Sequence, residues 1–218
     1  MPVLMFITET DLLMPGMASL PARQEDGPRI RSWEVAGTPH ADTYTLLGGV
    51  LDSGSVSPET LARAFTPKAE MFAISLSKPI NAAPQHHYVA QAALSALNSW
   101  VAAGNAPPSS PRLEIAEATA PTFVKDAVGN TKGGIRSPWV DVPIATYSAF
   151  GPPGPGFASI FGTTELFDPS RFAAHYPGGS APYLQKFEVA LESAIQAGFI
   201  LGADRREKLD IAAILYPK

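Results

Sequence analysis

The chain has 218 residues, 45% of them hydrophobic and 17% charged, with a formal net charge of −4. That length can bury one sizeable core or two small ones. The lack of a basic surplus argues against nucleic acid as a partner, no apolar run approaches the ~20 residues that cross a bilayer, and zero Cys excludes disulfides, thiol nucleophiles and Cys-ligated metal.

In chain order, residues 2 to 7 form a continuous apolar run without helical spacing, short enough for a strand buried on both faces. The run lacks the charged flank and cleavage site of a signal peptide. It stops at Thr8-Glu-Thr-Asp11, so carboxylates arrive at the carboxyl end of a buried strand, where loops of open α/β sheets converge on a ligand crevice. A turn-rich surface loop from Met14 to Pro28 follows. A second strand is predicted at Ile30–Ala36, running into Gly37-Thr-Pro-His40. Leu12, Leu13 and Met14 border the crevice, as an acyl pocket or as strand-end core.

An acid after one strand and a His after the next is the closing half of a Ser…Asp/Glu…His triad in the chain order that α/β-hydrolase sheets use. In that reading Asp11 fixes the imidazole tautomer, and His40 takes the nucleophile's proton and returns it to the leaving group. Glu9 is the rival acid. The plainer reading makes Asp11 a turn or cap residue and His40 a loop histidine that shares its neighbourhood with Asp42.

Residues 43 to 56 soften into glycines and are expected to wrap the site. Ser57-Pro-Glu59 starts a short helix, with Ser as cap, Pro at the first position and an acid against the dipole. Pro79 to Pro84 leads into the clearest helix, His87–Ala103, whose Val89, Ala93, Leu97, Trp100 and Val101 share a face and which Gly104 ends. Neighbouring His86 and His87 cannot both point along one helical face, so they read as exposed residues at the helix start and not as metal ligands. Asn105-Ala-Pro-Pro-Ser-Ser-Pro111 is the linker candidate, dividing residues 1–105 from 106–218.

Beyond it, Arg112–Glu117 alternates like a half-buried strand, with Thr122–Lys125 as its partner. Asp126–Asn130 is a turn without calcium-loop spacing. In Gly133-Gly-Ile-Arg136-Ser-Pro-Trp139-Val-Asp141-Val-Pro143, Arg136 could clamp a substrate carboxylate, but a structural pair with Asp141 is preferred. Gly151–Gly156 reads as an irregular loop. Asp168-Pro169 opens a helix, Pro182–Ala197 is a second with Leu184, Phe187, Leu191 and Ile195 on one face, and Asp204 begins a last one.

Four motifs occurring in order, Thr8-Glu-Thr-Asp11, Arg31-x-Trp-Glu-Val-Ala-Gly-Thr-x-His-Ala-Asp42, Pro79-Ile-Asn-x-x-Pro-Gln-His86 and Gly129-Asn-x-x-Gly-Gly-Ile-Arg-x-Pro-Trp-Val-Asp-Val-Pro143, together resemble the large α/β-hydrolase domain family of bacterial proteins. Most of its members are esterase-like. The resemblance extends to Phe167-Asp168 and Ala197-Gly-Phe199 and implies an α/β fold acting on a small-molecule ester. Thr8 departs from the superfamily's usual Gly-x-x-Asp. A nucleophile elbow, Gly-x-Ser-x-Gly, is not found: Gly178-Gly-Ser180-Ala-Pro182 matches only its first half and follows His40, so it reads as a turn into a helix.

The expected fold is therefore α/β, the carboxyl-terminal part of an α/β-hydrolase sheet with its last strands and covering helix, followed by a mixed α+β extension. It would carry Asp11 and His40 of a serine esterase whose upstream half supplies the nucleophile, with no cofactor, no metal, no nucleic acid and no membrane partner. Two alternatives stand beside it: an inactive binding or scaffold remnant, and Asp11 and His40 acting as a general acid/base pair through water. The open edge of such a half-sheet predicts strand-edge self-association of the isolated chain.

Overall fold

The amino-terminal apolar run forms β1 (Val3–Thr8), paired in parallel with β2 (Ile30–Val35), in the computed structural model of the chain, which describes residues 1–71, 74–117, 119–152 and 157–217. The register, Val3 opposite Ile30 through Thr8 opposite Val35, brings both carboxyl ends level. Past β2, Ala36 N–H donates to Ile135 O at 3.0 Å and Ile135 N–H to Glu34 O at 2.7 Å, so residue 135 lies along the far edge of β2. The other edge of β1 has no strand partner among the described residues.

Directly after β1 comes α1 (Glu9–Leu13), a single helical turn where the sequence suggested a bare strand end. Residues Tyr44–Gly48 form a π-helical turn that runs into α2 (Gly49–Leu51). α3 (Pro58–Ala64) starts as its cap predicts, with the Ser57 hydroxyl accepting from Thr60 N–H. A small hairpin, β3 (Glu70–Met71) and β4 (Ile74–Ser75), precedes α4 (Gln85–Ala103), which Gly104 ends in the left-handed region. α4 buries Gln85, Tyr88, Val89, Ala92, Ala93 and Trp100, and its Val89, Ala92 and Ala93 pack with Trp33 and Val35 of β2.

Two sequence expectations on α4 fail. Val101 is 59% exposed, because the residues at 88, 89, 92 and 93 fix the buried stripe and Trp100, not its neighbour, continues it. His86 and His87 are half-buried: the helix begins at Gln85, inside a region covered from both sides, with Phe6 stacked on His86 at 5.2 Å and Tyr44 on His87 at 3.8 Å.

The proline-rich stretch at 105–111 folds back on β2. Trp33 Nε1 donates to Pro108 O at 2.9 Å, Arg31 Nε to Pro107 O at 2.9 Å and the Ser110 hydroxyl to Ser32 O at 3.0 Å. The strand predicted at 112–117 meets its expected partner through a single bridge, Ile115 with Phe123, and bridges Gly133 through Leu113, in place of a continuous ladder. A Cβ at Gly133 would lie 2.2 Å from Arg112 O, and one at Gly134 2.8 Å from Glu34 O, so the paired glycines serve close packing of backbone on backbone.

Then come α5 (Pro138–Asp141), the antiparallel β5 (Ala145–Ser148) and β6 (Thr163–Leu166), α6 (Pro169–His175) capped by Asp168, α7 (Ser180–Gln196) and α8 (Arg205–Leu215). Of the loop expected at Gly151–Gly156, residues 153–156 lie outside the described residues.

The largest hydrophobic cluster joins Leu61 and Phe65 of α3, Tyr88 of α4, Trp139 of α5, Phe187 of α7 and Ile211 of α8. A second joins Ile7, Leu12 and Ala36 to Leu113, Phe123 and Val140. Both draw side chains from each side of 105–111. Leu12 is fully buried there, as core and not as pocket lining, and burial of such a side chain contributes about 1.5–3 kcal/mol.

Candidate active site

The site begins with the cap of α1. Thr8, almost wholly buried at the end of β1, accepts a hydrogen bond from Asp11 N–H at 3.1 Å and donates its hydroxyl to Asp11 Oδ2 at 2.8 Å. That leaves Oδ1 of Asp11 to the neighbouring loop, where it lies 2.7 Å from His40 Nδ1. A carboxylate at that nitrogen favours the tautomer that carries its proton on Nδ1 and leaves Nε2 as an acceptor. Among the described residues His40 Nε2 has no hydrogen-bond partner, and the side chains are 45% exposed for His40 and 29% for Asp11. So exposed a pair contributes at most about 1 kcal/mol to stability, and its geometry matters more for chemistry than for the fold.

The loop carrying His40 is held at Gly37. That residue has φ +72°, and a Cβ there would meet Gln85 Nε2 at 2.6 Å. Its N–H donates to Glu9 Oε1 at 2.5 Å, and its carbonyl accepts from Gln85 Nε2 at 2.7 Å and Asn81 Nδ2 at 3.0 Å. Thr38 is tied as well: its hydroxyl donates to Val35 O at 2.6 Å, and its carbonyl accepts from Glu9 N–H at 3.0 Å.

Glu9, the rival acid, therefore faces inward. Its carboxylate is fully buried, with Lys125 Nζ 3.8 Å from Oε2, and burial pushes its pKa up despite that lysine and the Gly37 N–H. Thr10 is buried beside it and donates its hydroxyl to Ala149 O at 2.7 Å. Asp42 is buried too; its Oδ1 accepts from Thr45 N–H and hydroxyl, and burial raises its pKa, opposed by nearby His86.

A third buried carboxylate went unnoticed in the sequence. Glu34 of β2 is gripped by Arg23 through Nε at 2.7 Å and Nη2 at 2.5 Å, by Arg112 Nη1 at 3.1 Å and by Leu113 N–H at 2.8 Å. The Trp-Glu step of the second motif marked the position, but its cationic partners lie 11 and 78 residues away in sequence. Arg136 is likewise consumed: it bonds Asp141 at 2.5 Å, Asp126 at 2.9 Å and the carbonyls of Thr131 and Val140, which is the structural role and not a substrate clamp.

Ser180 is the exposed first residue of α7, after Gly178 and Gly179 at φ +100° and +87°, and serves as a turn. Among the described residues no serine hydroxyl reaches His40. The apolar cavity of about 290 Å³ lined by Phe65, Trp139, Ile144, Tyr147 and Leu166 does not include Asp11 or His40. The pair instead sits on an open surface at the carboxyl ends of β1 and β2. Such a surface can orient an imidazole and accept a proton at Nε2.

A family model described as alpha/beta hydrolase domain matches residues 1–210. No curated protein and no solved structure matches the chain.

Proposed function

Because the chain belongs to the alpha/beta hydrolase domain family, with an α/β fold and a place in that hydrolase superfamily, we propose that Asp11 and His40 are the acid and base of a serine-hydrolase triad acting on carboxylic esters. The observation that carries this reading is the 2.7 Å contact of Asp11 Oδ1 with His40 Nδ1, beside an Nε2 left without a partner among the described residues. The carboxylate would hold the neutral imidazole with its acceptor nitrogen outward and stabilise the imidazolium once it forms. Nε2 would take the proton of a serine hydroxyl, then deliver it to the departing alcohol.

The serine, and the backbone donors for the oxyanion, belong in this proposal to sequence upstream of residue 1. Two features support that placement. Nothing described pairs with the outer edge of β1, where earlier strands of such a sheet would add. On α4, Leu94 and Val101, two turns apart on the outer face, are 69% and 59% exposed.

The test is to express the chain alone and extended by the reading frame upstream of Met1, then assay nitrophenyl esters and a fluorophosphonate probe. The extended protein should hydrolyse the ester in a His40-dependent manner and carry the probe on one serine; the 218-residue chain should do neither above a His40→Ala control. An extended protein inert in both assays, or hydrolysis indifferent to His40, refutes the proposal and favours a scaffold role.

A further inference from the structure

His40 stands three residues beyond Gly37, and no regular element lies between them. Where its imidazole sits is therefore decided by what holds the backbone of that short loop. Three side chains converge on the backbone of this one residue, Gly37. Glu9 from the start of α1 accepts the Gly37 N–H, while Asn81 and Gln85, from the approach to α4 and its first residue, both donate to the Gly37 carbonyl. All three are fully buried.

Each is fixed in turn from behind, Gln85 by the Ser137 hydroxyl, which donates to its Oε1 at 3.5 Å. Asn81 Oδ1 accepts from Ala83 N–H at 3.0 Å, and Asn81 N–H donates to Phe161 O at 2.9 Å. Glu9 Oε2 faces Lys125, whose Nζ also donates to Thr131 Oγ1 at 2.7 Å. One donor would satisfy a buried carbonyl, and here two amides serve it, while the partner on the N–H side is a full carboxylate where a neutral acceptor would do. Burying that carboxylate also costs free energy that a neutral acceptor would not. The arrangement resembles the outer partners that hold a catalytic imidazole in register, where a displacement of about 1 Å costs about 10²-fold in rate.

We propose that Glu9, Asn81 and Gln85 are positioning residues that clamp the backbone on both sides of the Gly37 Cα and thereby set the His40 imidazole against Asp11. This rests on the assignment of Asp11 and His40 as acid and base, but it concerns the geometry of the pair and is readable without substrate. None of the three touches the reacting atoms.

The experiment uses the 218-residue chain, ¹⁵N-labelled, at a pH where the His40 ring is neutral. The ring ¹⁵N shifts report which nitrogen carries the proton, and the contact with Asp11 predicts Nδ1. Gln85→Met keeps the volume and removes one donor, leaving Asn81 to support the carbonyl; Glu9→Leu removes the acceptor, and Glu9→Gln retains it. Gln85→Met and Glu9→Leu should lower the ratio of Nδ1–H to Nε2–H tautomer by about threefold or more, toward that of Asp11→Asn, with Glu9→Gln near wild type.

Leu191→Ala, a core truncation on α7, serves as the control for lost stability, and its His40 ratio should not move although its melting temperature falls. Should Glu9→Leu fail to fold, Gln85→Met decides the matter alone. A wild-type ratio in folded Gln85→Met, or an equal loss in Leu191→Ala, would overturn the clamp. Failure of ester hydrolysis in the extended protein would instead strike the triad assignment while leaving this spectrum unchanged.

Discussion

Thr8 and Asp11 exchange two hydrogen bonds, the Thr8 hydroxyl accepting from Asp11 N–H at 3.1 Å and donating to Asp11 Oδ2 at 2.8 Å. The same contact caps α1 and aims the carboxylate, so local helix chemistry and the orientation of the acid are one event. The Thr-x-x-acid spacing is that of a capping box, but here the acid accepts from the cap's hydroxyl where such a box would use the cap's backbone N–H.

Replacing Thr8 by Val should therefore be felt twice. Loss of the cap costs about 1 kcal/mol, which for a chain of this length lowers Tm by about 2–4 °C. Asp11 would also lose its anchor, so His40-dependent hydrolysis in the extended protein should fall further than that small loss of stability accounts for. A Thr8→Ser variant should restore both. Thermal melts alongside kcat would show an unanchored acid as irrelevant if the rate survived in Thr8→Val.

Asp11→Asn separates the two roles. The pair is exposed, so Tm should change by no more than about 4 °C. Asn cannot hold the imidazole in the useful tautomer, and in the extended protein kcat should drop by about 10⁴-fold. If Glu9 were the acid, Asp11→Asn would retain most of the rate.

Glu34 makes the opposite prediction. Its carboxylate is fully buried between Arg23 and Arg112, and neutralising it leaves two guanidinium groups facing each other without an acceptor of equal strength. Glu34→Gln should cost about 3 kcal/mol, lowering Tm by about 6–12 °C. Circular dichroism melts measure this, and a loss under about 2 °C would show the cluster to be dispensable.

His87 should make the fold acid-sensitive. Burial, aided by the charge of Lys208 and opposed by Asp52, pulls its pKa from 6.5 down to about 4. The fold thus prefers the neutral ring. The stability linked to that preference is complete above pH 6.5, is lost as pH falls from there through about 4, and amounts to at most about 3 kcal/mol. Urea unfolding of wild type and His87→Phe at pH 7.5 and pH 4.5 tests it: the wild type should lose more stability between the two, and parallel losses would exclude His87 as the cause.

The outer edge of β1 should act as a pairing template in the 218-residue chain. Val3 N–H is directed to Arg29 O, so by alternation the N–H groups of Leu4 and Phe6 point the other way. Sedimentation should show concentration-dependent association that Leu4→Pro abolishes. A wild-type monomer at high concentration would mean that the edge recruits nothing.

The parts of this structure that the sequence disclosed are those governed by neighbours in the chain. The apolar run of β1, the Ser57 cap of α3, the Asp168 cap of α6 and the periodicity of α4, α7 and α8 all follow from residues within a turn or two of one another. So did the pairing of Arg136 with Asp141, five residues apart. Asp11 and His40, which the structure brings within 2.7 Å, were singled out as a candidate pair by the order of strands and not by any contact visible in the sequence. What stayed hidden depends on distant chain: the Glu34 cluster, the burial of His86 and His87, and Lys208 of α8. That lysine has its Nζ 3.8 Å from the Tyr88 ring centre and 4.1 Å from that of Trp139. A lysine on a predicted amphipathic helix reads as a solvated side chain, and only the packing of α4, α5 and α8 turns it inward.

The way the first forty residues are held also dictates when they can settle. Asp11 and His40 leave the ribosome ahead of part of their surroundings: Leu113 and Ile135 join Glu34 and β2, Lys125 faces Glu9, and Ala149 receives the Thr10 hydroxyl. Contacts that span such separations close slowly, because the intervening chain must surrender its freedom first. During synthesis the pair therefore gains its nearer holds, Thr8 on Asp11 and Glu9, Asn81 and Gln85 on Gly37, before its outer ones, and nascent chains arrested before residue 149 has emerged should leave β1 and β2 more open to protease than those arrested well beyond it.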